Sequence, residues 1–252
     1  MGRRLNVTKV GGAALTDPSF LAELTRHVHT LVENDAAPLL VHGGGPEIAR
    51  LHQRLDIPFE FSEGMRVTRG ESMEVVTMVL AGLLNKRLVA RLVSSGLRAV
   101  GISGVDAGML RAAYLDRDRW GEVGGEPEVQ PGCLYHLLDR GYIPVVAPVA
   151  LGPDGNAINV NADLAAEAIA VALDAPDLDF VTDTPGVLRD ERVVGTLGAE
   201  EIERLIEEGV VSGGMIPKLR AARRALESGV IRVRVGDLRS LEQETATEAV
   251  LL

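Results

Sequence analysis

Short apolar runs alternate with longer amphipathic stretches along this chain. The apolar runs predict six strands, near Leu5–Val10, Pro38–His42, Arg98–Ile102, Ile143–Ala147, Leu178–Thr182 and Ile231–Val235. The amphipathic stretches predict helices over Asp17–Asn34, Pro46–Leu55, Gly70–Ser95, Gly132–Arg140, Ala162–Leu173, Ala199–Glu208 and Met215–Ser228. This alternation is typical of an α/β fold around a parallel sheet.

Three further segments interrupt the alternation. Ile57–Thr68, Met109–Val123 and Val149–Asn159 predict hairpins or lids inserted between the main elements. No linker rich in Pro, Gly or Ser divides the chain, and the only change of character lies near Leu173–Asp179. The sequence therefore predicts one large domain or two tightly joined lobes.

Composition narrows the class of protein. The 252 residues are 46% apolar, which suffices for a buried core, and the net charge of −10 disfavours nucleic acid as a partner. The only cysteine, Cys133, excludes a disulfide framework. No apolar run reaches 18 residues, and the first residues do not resemble a secretory signal. We expect a cytoplasmic protein with no membrane contact.

Three glycine-rich turns indicate where an anion could bind. They contain Gly11-Gly12 after Lys9, Gly43-Gly44-Gly45 at the start of a helix, and Gly213-Gly214 just before Lys218. Glycine lets backbone N–H groups approach a phosphate closely. Any one turn alone is more often only a tight connection. Two of them, however, adjoin a lysine in a chain in which 23 of the 26 basic residues are arginine.

Two polar segments are further candidates. Asn159, Asn161 and Asp163 precede an alanine-rich helix, although helix capping by Asn161 would explain part of this pattern. Asp183 follows a buried strand and leads into a Pro-Gly turn, which an ordinary turn would also explain. The chain lacks GxxxxGK[ST], GxSxG and a full dinucleotide fingerprint, which argues against a P-loop enzyme, an α/β-hydrolase and a Rossmann dehydrogenase.

The order and spacing of seven motifs carry a family resemblance. The motifs are VTKVGGAAL, VHGGGPEI, EGMRVT, LAGLLNKRL, NVNADLAA, TDTPGVL and GGMIPKL. Over about Asn6 to Leu226 the chain resembles the acetylglutamate kinases of the amino-acid kinase family. The resemblance implies an open three-layer αβα sandwich with a mainly parallel central sheet. Residues 1–174 would form a lobe for the acyl amino acid and for dimerisation, and residues 175–252 a lobe for the nucleotide.

The resemblance also implies residue roles. Catalysis would fall to Lys9, Lys218 and Asp163, with Gly11 and Gly12 holding phosphate. N-acetyl-L-glutamate would bind at Gly44, Gly45, Arg66 and Asn159. The nucleotide would bind at Asp183, Thr184, Pro185, Gly186, Val187, Leu188, Val210, Val211 and Ser212. The implied reaction is ATP-dependent phosphorylation of the γ-carboxylate, in arginine biosynthesis. Mg²⁺ would be held mainly by the ATP phosphates, without a metal site of the protein's own.

The chain departs from the family pattern in two places. GISGVDAG has Val105 and Ala107 at two family positions, and the C-terminal segment lacks the usual Gly-Thr. A sister kinase acting on another ω-carboxylate, such as carrier-linked aminoadipate, is an alternative; Gly45 and the NVNAD motif favour acetylglutamate. An inactive sensor of amino acid or nucleotide is another alternative, which the presence of both lysines and of Asp163 disfavours.

The helix predicted over Gly70–Ser95 bears on assembly. It is apolar around most of its circumference, so it is either covered by the inserted hairpins or shared with a partner. We expect a symmetric homodimer, as the resemblance also implies. Arginine-inhibited family members carry an extra N-terminal helix that links dimers into hexamers. Because only Met1–Arg4 precede the first strand, we expect a dimer whose activity ignores arginine.

Overall fold

A computed structural model describes residues 2–62 and 65–251. The EGMRVT motif and the hairpin predicted over Ile57–Thr68 contain Glu63 and Gly64, which lie outside the described residues. The strands are β1 (Arg4–Val10), β2 (Ala36–His42), β3 (Glu60–Ser62), β4 (Met65–Val67), β5 (Ala99–Ser103), β6 (Leu110–Arg111), β7 (Glu128–Val129), β8 (Ile143–Ala147), β9 (Val149–Leu151), β10 (Ala157–Asn159), β11 (Asp177–Val181), β12 (Leu188–Arg189), β13 (Arg192–Val193), β14 (Thr196–Gly198), β15 (Arg232–Gly236) and β16 (Thr247–Val250).

The helices lie between these strands, as the alternation predicts. They are α1 (Pro18–Glu33), α2 (Gly45–Arg54), α3 (Glu71–Thr77), α4 (Asn85–Ser94), α5 (Arg117–Trp120), α6 (Gly132–Asp139), α7 (Ala162–Ala172), α8 (Ala199–Glu207), α9 (Met215–Glu227) and α10 (Leu238–Glu242). Asp17 caps α1 by accepting a hydrogen bond from the Ser19 N–H, and Pro18 occupies the first helical position. This start agrees with the cap-and-proline signal of the sequence.

Eight strands form the central sheet in the order β14-β16-β15-β11-β1-β2-β8-β5. The six strands from β15 to β5 are all parallel, whereas β16 runs antiparallel to β15. One half of the sheet, β14 to β11, comes from residues 177–250, and the other half from residues 4–147. The mainly parallel sheet expected from the sequence is confirmed.

Alternating side chains of the central strands supply two cores. Leu39 and Val41 point to one face and pack with buried residues of α6, α7, α8 and α9. Leu40, between them, points to the other face and packs with residues of α1 to α4 and α10. Since successive side chains of a strand point to opposite faces, both faces of the sheet are buried. The three layers are therefore helix, sheet and helix.

A buried polar network joins the two halves of the sheet. Asp179 of β11 accepts hydrogen bonds from Asn6 of β1 at 2.7 Å and from Arg234 of β15 at 2.7 and 2.8 Å. All three residues are at least 93% buried. Burying these charges is tolerated because the carboxylate is fully paired, and removing one partner would leave an unpaired charge in the core.

Smaller sheets cover the carboxyl end of the central sheet. Two of the inserted segments contain the expected hairpins: β3 pairs with β4, and β9 pairs with β10. For the segment Met109–Val123, where we expected a hairpin or a lid, the structure shows no two named strands paired within the segment. There, β6 pairs with β7 beyond the segment and with β9, and the residues between form the short helix α5, capped by Asp116. The partners of β6 are strands that lie outside the predicted segment.

The helix predicted over Gly70–Ser95 is confirmed but is not uniformly α-helical. A π-helical segment, Met78–Leu84, connects α3 to α4. Val75, Val76 and Val79 are buried, whereas Met78, Leu83 and Val93 are 41–51% exposed. Lys86 donates hydrogen bonds to the carbonyl oxygen of Gly101 and to the Asn85 side chain, so it ties the helix to β5.

Across residues 2–62 and 65–251, no helix combines the length and the apolar character that crossing a membrane requires.

Candidate active site

Two glycine turns touch at the carboxyl end of the sheet. Gly11 and Gly12 follow β1, and Gly43 and Gly44 follow the neighbouring strand β2. A Cβ added to Gly12 would lie 2.3 Å from both Cα and N of Gly44, so only a residue without a side chain fits there. The Gly43 N–H also donates to the Val10 carbonyl oxygen at 3.0 Å. The two turns therefore form one continuous backbone surface.

The second turn leads directly into a helix that has no side-chain cap. Gly44 is the N-cap of α2 and offers no side-chain acceptor to the first N–H groups of the helix. A Cβ on Gly44 would overlap Leu80 and Leu84 of the π-helical segment, at 2.5 and 2.8 Å. The π-helical segment thus packs directly against this turn. The free N–H groups and the helix dipole make this end favourable for an anion.

A buried histidine, which the sequence did not single out, holds the same turn. His42 precedes Gly43 and contacts its carbonyl oxygen through Nδ1 at 3.1 Å, while Nε2 lies 3.2 Å from the Asn85 amide nitrogen. Burial lowers the pKa of His42 to about 4, so the ring is neutral at pH 7. A neutral ring with its proton on Nδ1 satisfies both contacts. Its sequence position, directly before three glycines, is the only signal that could have marked it.

Two lysines share one carboxylate beside the glycine turns. Lys9, at the end of β1, has its Nζ 2.8 Å from Oδ1 of Asp163, and Lys218 of α9 has its Nζ 3.7 Å from Oδ2. Asp163 lies in the first turn of α7, where Asn161 caps the helix by accepting from the N–H groups of Asp163 and Leu164. The capping interpretation of Asn161 is therefore correct, and it leaves the Asp163 side chain available to the lysines.

The electrostatics of this cluster suit an anionic ligand. Lys9 and Asp163 are 5% exposed, and the Lys218 side chain is 14% exposed. Burial, together with the nearby Lys9 ammonium, lowers the pKa of Lys218 below its ordinary value of 10.5. Two ammonium groups around one carboxylate leave one positive charge uncompensated. A phosphoryl group placed between the lysines would neutralise it.

Arg66 on β4 approaches the glycine turn from the small hairpin. Its Nη2 donates to the Gly45 carbonyl oxygen at 3.1 Å, and its guanidinium carbon lies 4.9 and 4.6 Å from the ring centres of Phe59 and Phe61. The side chain is buried, which lowers its pKa, and Nη1 has no hydrogen-bond partner among the described residues. A buried, unpaired guanidinium donor is well suited to a carboxylate. The two aromatic partners were not predicted, although the PFEF pattern just before Arg66 was a usable signal.

Asn159 lies on the neighbouring small sheet, close to the strand of Arg66. Its amide nitrogen donates to the Thr68 hydroxyl at 3.3 Å, and that hydroxyl donates to the Arg66 carbonyl oxygen at 3.2 Å. Asn159 is therefore connected to the Arg66 strand through a single side chain. These contacts connect Asn159 and Arg66 to the glycine turn that contains Gly44 and Gly45.

The two predicted nucleotide stretches lie on the other half of the sheet. Asp183–Leu188 follow β11, with Asp183, Pro185 and Leu188 exposed, Thr184 half-buried, and Gly186 and Val187 buried. Val210, Val211 and Ser212 connect α8 to α9, where the Ser212 carbonyl oxygen accepts from the Met215 N–H. Within residues 2–62 and 65–251, no hydrogen bond or ion pair joins either stretch to Lys9, Asp163 or Lys218.

One threonine that the sequence did not indicate shapes the first of these stretches. The Thr247 hydroxyl of β16 accepts a hydrogen bond from the Val187 N–H at 2.8 Å. A Cβ on Gly186 would lie 2.6 Å from the same hydroxyl oxygen, so the turn packs directly on β16. The divergent C-terminal segment therefore still orders this turn.

Known proteins match this chain over nearly its whole length. The model of the amino acid kinase family matches residues 4–237. The chain belongs to the amino acid kinase family. Curated relatives of the chain are the acetylglutamate kinases of Geobacillus kaustophilus, 46% identical over 93% of this chain and 90% of the relative, and of Chloroflexus aggregans, 47% identical over 94% and 93%. The resemblance read from the seven motifs is confirmed.

A solved structure agrees at the level of the fold. A protein of Streptococcus mutans UA159 superposes with a TM-score of 0.84 at 30% identity, covering 92% of this chain and 94% of its own. The αβα sandwich with a mainly parallel sheet is thus the architecture of this family member as well.

The contact between the glycine turns leads to a first prediction. We expect Gly12→Ala to lower the free energy of unfolding by about 2 kcal/mol, because the new methyl group must push the Gly44 backbone away. The displaced turn should also reduce kinase turnover about 100-fold. Urea unfolding and steady-state kinetics measure the two effects. Gly132→Ala is the matched control, since its Cβ would meet no atom within 4 Å; similar losses in both variants would refute the backbone-contact argument.

Proposed function

We propose that this enzyme transfers the γ-phosphoryl group of ATP to the γ-carboxylate of N-acetyl-L-glutamate, a step of arginine biosynthesis. The observation that carries the proposal is the pair of lysines held by Asp163 beside two touching glycine turns. The names of the curated relatives support the choice of substrate. The reaction yields N-acetylglutamyl 5-phosphate and ADP.

The chemistry requires charge neutralisation rather than a base. The attacking γ-carboxylate is ionised at pH 7, so one of its oxygens forms the new bond to phosphorus while the bond to the leaving ADP oxygen breaks. Both reactants are anionic, and transfer depends on positioning and on stabilising the transferred group. In this proposal Lys9 and Lys218 contact that group as compact charges, and Asp163 orients them. The N–H groups of Gly11, Gly12 and Gly44 bind its oxygens.

The acyl amino acid would bind on the Arg66 side of the cluster. The unpaired Nη1 donor of Arg66 fits the α-carboxylate of the substrate, and the two phenylalanine rings keep the guanidinium in place. Gly44, Gly45 and Asn159 would complete the contacts. The γ-carboxylate would then extend toward the lysines.

ATP would bind over the half of the sheet formed by residues 175–252. Asp183 to Leu188 and Val210 to Ser212 would contact the nucleotide, and residues 1–174 would form the lobe for the acyl amino acid. Both oxygens of Asp163 already face ammonium groups, at 2.8 and 3.7 Å, so a divalent cation there would meet two positive charges. This fits an Mg²⁺ ion held mainly by the ATP phosphates, whose charge it would reduce. Use of ATP also favours a cytoplasmic location.

ADP release with several acceptors tests the function. We expect turnover with N-acetyl-L-glutamate, and little with glutamate, aspartate, carbamate or N-acetyl-aminoadipate at the same concentrations. Turnover with another acceptor in preference to N-acetyl-L-glutamate would assign a sister activity. ATP binding without turnover on any acceptor would indicate a sensor.

The lysine assignment makes a second prediction. Lys9→Ala and Lys218→Ala should each lower kcat about 10²- to 10³-fold, the usual effect of losing one electrostatic donor. Lys9→Arg and Lys218→Arg should also be poor enzymes, because the longer planar group misplaces its charge. Lys86→Arg is the control, since the hydrogen bonds of Lys86 within the described residues go to the Gly101 carbonyl oxygen of β5 and to the Asn85 side chain of its own helix. Near-normal kcat in both arginine variants would remove the catalytic assignment.

The Arg66 assignment makes a third prediction. Arg66→Ala should raise KM for N-acetyl-L-glutamate about 100-fold and leave KM for ATP within about 2-fold, because the contact is made equally in the ground and transition states. Arg54→Ala, at an exposed position of α2, serves as control. An effect mainly on the ATP KM would place Arg66 on the wrong side of the site.

We also propose a homodimer formed through the continuous helix of α3, the π-helical segment and α4. Met78, Leu83 and Val93 are large apolar residues that are 51%, 41% and 51% exposed on this helix, whereas Val75, Val76 and Val79 are buried. The inserted hairpins leave these side chains uncovered in the monomer. A second copy of the same face would bury them symmetrically.

The dimer makes a fourth prediction. Light scattering should give twice the mass of the chain, and Met78→Glu should shift the protein to a monomer by raising the dissociation constant at least about 100-fold. Ile231→Glu introduces the same charge at a residue that is 77% exposed elsewhere, and it should stay dimeric. A monomeric parent protein, or equal dissociation of the two variants, would contradict this interface.

A further inference from the structure

A second ion pair joins the two helices that carry Asp163 and Lys218. Glu167 lies one turn beyond Asp163 on α7, and Arg224 lies farther along α9 than Lys218. Arg224 binds the Glu167 carboxylate with two nitrogens: Nε is 2.9 Å from Oε1, and Nη2 is 2.6 Å from Oε2. The Glu167 side chain is only 12% exposed. A bidentate pair at this burial fixes both distance and orientation.

The surfaces that α7 and α9 bury are built mainly from small side chains. The buried residues are Ala165, Ala166, Ile169 and Ala170 on α7, and Leu219, Ala221, Ala222, Ala225 and Leu226 on α9. Alanines let the two helices approach closely, but they form shallow ridges, which resist sliding along the axis only weakly. The packing therefore sets how far apart the helices are more firmly than it sets their register.

Register matters because the active cluster spans both helices. Lys218 enters it from α9, whereas Asp163 enters from α7, and their 3.7 Å separation is longer than that of the Lys9 pair. A shift of α9 along α7 would move the Lys218 ammonium directly relative to Lys9 and Asp163. Misplacement by about 1 Å can cost 10²-fold in rate.

We propose that Glu167 and Arg224 are positioning residues that fix the register of α9 against α7 and so hold Lys218 in place for phosphoryl transfer. The proposal rests on the proposed function for its kinetic part only. Neither residue touches the reacting atoms. Glu126, on the loop before β7, adds a weaker contact, with Oε1 3.6 Å from Arg224 Nε.

The chain contains a matched comparison between α9 and a different helix, α8. Glu203 of α8 lies 3.4 Å from Arg220 Nη2 and 3.7 Å from Arg223 Nη1, so it too ties a neighbouring helix to α9. These contacts are longer and more exposed, and α8 carries none of the lysine cluster. Glu203→Gln therefore removes an ion pair of α9 without addressing the α7 register.

The test compares Glu167→Gln, Arg224→Lys and Glu203→Gln with the parent enzyme. The chain has only three lysines, so trace acetylation over a pH series, read by mass spectrometry, gives a titration midpoint for each. The pKa of Lys218 is held down by burial and by Lys9. If α9 slips, Lys218 gains solvent and moves away from Lys9, so its midpoint should rise by about half a pH unit or more. Lys86 is the internal reference.

We expect Glu167→Gln to raise the Lys218 midpoint and to lower kcat about 10-fold, with KM for ATP changed less than about 2-fold. Arg224→Lys keeps the positive charge but loses the bidentate guanidinium, so it should raise the Lys218 midpoint and lower kcat by smaller amounts. If Glu167→Gln does not fold, Arg224→Lys provides the test. Glu203→Gln should leave the Lys218 midpoint and kcat unchanged. A parent enzyme without turnover would refute the proposed function, while the labelling would still report on the register. An unchanged Lys218 midpoint in Glu167→Gln and Arg224→Lys, or an equal shift in Glu203→Gln, overturns the proposal.

Discussion

The whole site depends on one contact between two stretches of backbone. Gly12 lies so close to the Gly44 backbone that a methyl group on Gly12 would overlap it. Because this contact joins the ends of β1 and β2, it also sets where Lys9 ends its strand and where α2 begins. The π-helical segment then presses on the same turn through Leu80 and Leu84. Side chains at Gly12 or Gly44 would have kept the two turns and the π-helical segment apart.

Charge is arranged around that contact with few residues. Asp163 contacts both lysines, one from β1 and one from α9, and so connects the two halves of the sheet at the proposed point of reaction. Asn161 accepts hydrogen bonds from the first N–H groups of α7, so the Asp163 side chain is not needed as the helix cap. Arg66 of β4 contacts two aromatic rings and has one donor without a hydrogen-bond partner within residues 2–62 and 65–251. The two lysines and Arg66 thus retain positive charge or a hydrogen-bond donor for an anionic ligand.

Much of the fold and of the candidate site could be predicted from the sequence because local patterns encoded it. Apolar runs marked the six parallel strands, and glycine turns next to lysines marked the residues that meet around Asp163. Features that depend on distant partners were missed. The edge strand β14 and its neighbour β16 have little pattern of their own; β14 pairs with β16, and β16 pairs with β15. The hairpin alternative for Met109–Val123 was wrong for the same reason, since β6 pairs with strands outside that segment. The π-helical turn and the Phe59 and Phe61 contacts depend on tertiary packing that periodicity does not report.

The order of strands also constrains how the chain is made. β1 lies in the middle of the sheet, with β2 on one side and β11 on the other, so Asn6 is paired with Asp177. During synthesis β2, β5 and β8 can pair as they emerge, but the other edge of β1 stays open until residues near Asp177 have been translated. That edge exposes unpaired backbone groups, which readily pair with another chain. The nascent chain is therefore prone to aggregation while β1 has one unpaired edge, and pairing with β11 removes that edge.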